Sequence, residues 1–221
     1  MKGSDLVEYQ GTYTDKNGSE PITICNDGTT LRTVIRDIVF EGEMFDDFAP
    51  VGRDDSDISD RFPLKYGILE SIIIEWKMPI PIWQGDQETE SILHVRLEMG
   101  PWAEWNIEYQ RLWLVLEYDN RRFTNSKPDA WFEYAMLDIQ SQLPDDVYMK
   151  ACINCLYSDY SPYGHGMFGC MACFRTCKEE YLQVKSKDDY WPVLEKCQRI
   201  VQETYLCDKF ERRVPGTGYR G

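Results

Sequence analysis

A chain of 221 residues with 43% hydrophobic and 14% aromatic content is long enough to bury a substantial core and too apolar to stay disordered. Its formal charge of −14 argues against nucleic acid as a partner, because a phosphate backbone must be neutralised by cations. The charge is uneven: residues 1–146 carry 29 acidic and 13 basic side chains, whereas residues 147–221 carry 9 and 11.

Read in chain order, the N-terminal stretch 1–19 has neither an apolar h-region nor a small-residue cleavage site. The longest apolar runs, 72–74 and 112–116, fall far short of a bilayer span. A cytoplasmic chain with reduced thiols and no membrane partner is therefore expected. Asn17-Gly18 and Asp27-Gly28 are hairpin-type dipeptides flanking the apolar run 21–25. A β-branched strand follows over 31–40. The segment 41–60 then sets eight acidic residues against Arg53 alone, and it reads as a loop with a mobile tip. Asp55, Asp57 and Ser59 imitate the start of a calcium loop. Asp60 stands where an EF-hand needs Gly and Tyr66 where it needs Glu, so calcium is rejected.

A strand over 67–76 is expected to stop at Pro79 and Pro81, since proline cannot donate to a central ladder. Over 92–99, Leu93, Val95 and Leu97 alternate with His94, Arg96 and Glu98, which places a solvated His94 on the polar face. A buried-type strand over 111–118 ends at Asp119-Asn120. Ser126-Lys127-Pro128-Asp129 offers a helix start, and Trp131, Phe132, Ala135, Met136, Ile139 and Leu143 form one apolar face before Pro144 stops it. Strand character returns over 147–156, 167–175 and 181–184. A second helix is expected near Asp188-Asp189, with Tyr190, Leu194, Cys197 and Val201 on one face, then a short strand and a glycine-rich tail. The pattern predicts one α+β domain over 1–221, mainly antiparallel sheet with one or two packed helices. A composition shift near 146 separates an acidic strand-rich part, 1–146, from a Cys-rich part, 147–221.

Seven of the eight cysteines lie between Cys152 and Cys207, and Cys152/Cys155 and Cys170/Cys173 are C-x-x-C pairs. Two such pairs can close a tetrahedral zinc shell of structural type. In an extended strand, however, residues i and i+3 point to opposite faces, so each pair needs a turn. Cys177 and Cys207 are alternative ligands, and cysteine also packs as an ordinary buried hydrophobe. His165, between glycines, reads as a mobile loop tip rather than a held base for a nucleophilic thiol. Phosphate-binding, dinucleotide-binding, metalloprotease and serine-hydrolase signatures are absent from the sequence, and with two histidines the chain reads as a binder, not an enzyme.

The run CINCLYSDYSPYGHGMFGCMACFR, with KEEYLQVKSKDDYW and QETYLCDKFERR, resembles an uncharacterised bacterial family, a domain of unknown function met beside toxin genes of interbacterial competition. The resemblance is closest over 147–213 and looser over the strand-rich half. It implies an immunity protein that binds and neutralises a cognate toxin. It also implies that Cys152, Cys155, Cys173 and Cys207 matter more than Cys170 and Cys177. A basic toxin agrees with the charge, since an acidic field steers a cationic partner. Asp46, Asp47, Asp54, Asp55 and Asp57 are the expected steering charges, and Trp102, Trp105 and Tyr109 the expected anchors. The competing reading is a zinc-stabilised adaptor or nucleic-acid module using Arg175, Arg212, Arg213 and Arg220 beside Tyr157, Tyr160 and Tyr163.

Overall fold

The computed structural model describes residues 6–197 and 199–219; Arg220 lies outside them. The chain begins with β1 (Val7–Asp15) and β2 (Gly18–Asn26), paired so that Asp15 faces Gly18 across the hairpin. Next come β3 (Leu31–Ile35) and β4 (Ile38–Gly42). The single strand expected over 31–40 is thus a second hairpin. Arg36 and Asp37 turn it with φ of 47° and 65°, the left-handed pair that suits a two-residue hairpin. No Gly or Asn marks the turn. Side-chain anchoring replaces them: the Arg36 guanidinium donates to Asp15 at 2.7 and 2.8 Å and lies over the rings of Tyr13 and Phe62.

The acidic segment 41–60 is not a free loop. It contains β5 (Ala49–Pro50), which pairs with β4, and α1 (Asp55–Ile58). Phe45, Phe48 and Ile58 are buried, and Phe62 just beyond is too. Phe45 packs on Trp76 with ring centroids 4.2 Å apart. Each such burial contributes roughly 1.5–3 kcal/mol, which ties the segment to the core between its charges.

Two short strands, β6 (Leu64–Lys65) and β7 (Ile68–Leu69), form a separate hairpin turned by Tyr66 and Gly67, both at positive φ. The long strands β8 (Ile72–Gln84) and β9 (Gln87–Met99) then pair along their whole length. The prolines do not stop β8. The Pro81 carbonyl accepts from Lys150 N–H at 2.8 Å on the side away from β9, and Pro79 shares its orientation. On that side β1 pairs only with 73–76 and a later strand over 147–149 only with 82–84, so between them no donor is required.

The sheet is completed by β10 (Gln110–Tyr118) and β11 (Arg121–Thr124). Its order is β11-β10-β9-β8-β1-β2-β3-β4-β5, with every pairing antiparallel. Helix α2 (Phe132–Gln142) packs one face against it through Phe132, Ala135, Met136 and Ile139. Trp131 lies at the N-cap and is 39% exposed, so it is not part of that face.

Beyond α2, β12 (Val147–Met149) joins the far end of β8, and a 3-10 turn spans Cys152–Asn154. Strands β13 (Ser158–Tyr160) and β14 (Met171–Cys173) belong to a small second sheet. The strand expected over 181–184 is instead the end of helix α3 (Lys178–Leu182) and a turn. Helix α4 (Lys187–Leu194) starts where expected, capped by Ser186, whose hydroxyl accepts from Asp189 N–H. It ends before Cys197. Val201 sits in β15 (Ile200–Val201), the third strand of the small sheet. The segment after 204, expected to start as a strand, is a run of turns with one bridge between Cys155 and Arg212.

Met167, Phe168, Met171 and Val201 extend the main core, while Phe174, Tyr181, Tyr190 and Val193 form a satellite cluster. The opposite face of the sheet carries Glu75, His94, Arg96, Trp113 and Arg122 around an open groove of about 550 Å³. No helix among the described residues is long and apolar enough to cross a membrane.

Candidate partner-binding surface

The connection from β9 to β10 is a projecting hairpin-like loop. Gly100 N–H donates to Tyr109 O, Glu108 N–H to Pro101 O, and Ala103 N–H to Asn106 O, at 2.8–2.9 Å. This ladder places Glu104 and Trp105 at its tip, and Trp105 is 88% exposed. Gly100 permits the loop's base: a Cβ there would meet the Tyr109 ring at 2.7 Å. Tyr109 in turn lies under the Arg111 guanidinium, 4.5 Å from the ring centroid.

The β6–β7 hairpin lies against this loop. Tyr66, itself 65% exposed, meets Trp102 edge-on with centroids 5.7 Å apart. Glu70 accepts from Trp102 N–H at 2.5 Å and fixes the loop's exit from the sheet. On the other side of the hairpin, Gly67 N–H donates to Asp55 Oδ2 at 2.9 Å. Helix α1 with Asp55 and Asp57, and Asp54 just before it, is thus joined through Tyr66-Gly67 to Trp102 and the exposed Trp105.

Two groups expected separately, acidic residues and aromatic anchors, therefore meet on one surface. Sequence reasoning missed Tyr66 and Glu70, although Tyr66-Gly67 between two apolar pairs is a readable turn. Asp46 and Asp47 do not share that surface. Asp46 accepts from Gln110 at 2.7 Å, and its other oxygen is buried without a partner. Asp47 closes its own turn by accepting from Met44 and Glu43 N–H. Burial pushes both carboxyls above the usual range against these hydrogen bonds.

The cysteines separate into groups. Cys155 N–H donates to Cys152 O at 3.0 Å, so the first C-x-x-C pair does turn as metal binding requires. The second pair is not turned in this way: Cys173 ends β14 opposite Ser158, while Cys170 lies just before the strand and receives the Gly166 N–H at 3.2 Å. As the side chains stand, no three His, Cys, Asp or Glu among the described residues form a group able to hold a metal ion. Burial pushes the Cys170 thiol up, the opposite of what activates a nucleophile.

His165 is held rather than mobile. Its Nε2 lies 3.2 Å from Glu133 and its ring stacks on Tyr160 at 4.2 Å. The described arginines of the basic–aromatic reading, Arg175, Arg212 and Arg213, are spent internally. Arg213 donates to the Ser158 carbonyl, Arg212 to Asp145 O at 2.8 Å, and Arg175 to Cys207 Sγ at 3.6 Å. Tyr157 and Tyr160 are buried.

A family of unknown function, DUF6304, matches residues 7–158. The chain belongs to the DUF6304 family. The match covers the strand-rich sheet and ends at the first residue of β13, whereas the resemblance read from the sequence was closest over 147–213. Nothing in the match concerns toxins or immunity. No curated protein and no solved structure matches.

Proposed function

We propose that this DUF6304 chain is a non-catalytic cytoplasmic binding protein whose partner is a basic protein, and that the partner is a cognate toxin which it neutralises. One observation carries the binding reading. Trp105, 88% exposed at the tip of an ordered loop, is continuous through Trp102 and Tyr66 with the acidic helix Asp55–Ile58. An exposed Trp on a hydrogen-bonded loop loses little conformational freedom when it docks, and Trp dominates binding hot spots. Carboxylates around it would speed the approach of a cationic surface. Resemblance to toxin-adjacent proteins supplies the class of partner.

Co-expression with a toxin encoded beside the gene tests the class, and growth rescue is expected. With the purified pair, Trp105→Ala should weaken affinity by about 30-fold, mainly through dissociation, as loss of a hot spot of about 2 kcal/mol would. Replacing Asp54, Asp55 and Asp57 by Asn should slow association at low salt, with the difference vanishing as salt is raised. Rescue and affinity that ignore both changes would refute this surface, and substrate turnover by the purified protein would refute the non-catalytic reading.

A further inference from the structure

We propose that Cys152, Cys155, Cys173 and Cys207 bind one zinc ion as a closed tetrathiolate that clamps the C-terminal segment to the sheet. This is not the double C-x-x-C that the sequence spacing suggests. Three sets of hydrogen bonds bring the four residues together. The Ser158 hydroxyl donates to the carbonyls of Cys152 and Cys155, and Ser158 is the residue paired opposite Cys173 across β13 and β14. Arg175, two residues beyond Cys173, reaches Cys207 Sγ with its guanidinium at 3.6 Å. Cys152 N–H donates to Tyr205 O at 3.1 Å, which brings in the turn carrying Cys207. Cys170 is excluded because it faces Gly166 and Phe168 across the strand.

The surroundings suit thiolates. Cys207 Sγ accepts from Lys209 N–H at 3.4 Å, a contact from the second residue onward that spreads negative charge from sulfur into the backbone. Arg175 and Arg199 are the cations beside the cluster. Four thiols binding Zn²⁺ release four protons and leave a net charge of −2, which these two arginines neutralise. As the side chains stand no three of these groups can hold one ion, so binding requires the four sulfurs to converge on the metal.

Full-length protein purified without chelator or added zinc should contain one zinc per chain by elemental analysis. Cys152→Ser and Cys207→Ser should each lower that content several-fold, while Cys170→Ser and Cys25→Ser should leave it unchanged. Because serine at a structural site can prevent folding, unsubstituted protein produced with cobalt gives a second readout: tetrahedral d–d bands with thiolate charge-transfer absorption. Folded, metal-free protein lacking those bands would overturn the proposal. So would zinc that survives Cys207→Ser but is lost in Cys170→Ser.

Discussion

At the scale of single residues, Glu203 is a carboxyl that burial moves far from its solution behaviour. It has no solvent exposure and accepts from Gly169 N–H at 2.7 Å and the Tyr160 hydroxyl at 2.9 Å. Burial pushes its pKa up to about 7 in spite of those bonds. A carboxyl raised on folding favours the native state fully below the unfolded value of 4.5, and that contribution is lost as pH rises through about 7. Asp46 and Asp47 are raised by burial too, so they act in the same direction. Glu203→Gln keeps an acceptor but cannot ionise. It should match the unsubstituted chain near pH 4.5 and exceed it above pH 7 by a margin of at most about 3 kcal/mol. Urea unfolding at the two pH values checks this, and an equal difference at both would remove the buried carboxyl as the cause.

At the scale of elements, the β3–β4 turn departs from ordinary hairpin chemistry. Arg36 and Asp37 both occupy left-handed backbone, at about 1 kcal/mol each for a residue with a Cβ. Arg36 offsets this through Asp15. Burial raises the Asp15 carboxyl, but bonds from Arg36, Asn17 N–H and Tyr13 outweigh it and hold it below the usual range. Asp37→Gly should therefore raise stability by about 0.5–1 kcal/mol. Arg36→Ala should cost on the order of 2–4 kcal/mol by leaving the enclosed Asp15 carboxylate without its counter-charge. Thermal denaturation reads both, and a neutral Arg36→Ala would show that the pair is not what holds the turn. The same turn shows what was legible. The hairpin dipeptides at 17–18 and 27–28 and the alternation of Leu93, Val95 and Leu97 are local signals, and the strands they indicate are present. The break inside 31–40 was hidden because its conformation is enforced by Asp15, distant in sequence. The passage of β8 through Pro79 and Pro81 was hidden because it depends on which neighbour is missing. The site was legible as two lists, acids and aromatics. Their meeting depends on the Tyr66-Gly67 turn packing between α1 and the 100–109 loop, a long-range arrangement that periodicity does not encode.

At the scale of the whole molecule, the family match stops at 158 but the packing does not. Phe168 lies 5.0 Å from Phe45 and 4.7 Å from Phe132, filling the space between the acidic segment and α2. Asn26 and Gln202 exchange two side-chain hydrogen bonds in the interior, and Ile153 N–H donates to Glu203 O. A chain ended after Ser158 would expose Phe45 and Phe132 together and leave these buried polar groups unpaired. Losses of about 1–3 kcal/mol for each unpaired group, and a similar amount for each exposed aromatic, sum to a size comparable with the stability of an ordinary domain. Residues 1–158 alone should therefore lack near-ultraviolet circular dichroism and bind a hydrophobic dye, while the full chain unfolds cooperatively. If the fragment instead gave sharp aromatic dichroism and its own cooperative melt, the C-terminal segment would be an appendage. The surface carrying Trp105 would then have to be rigid without it.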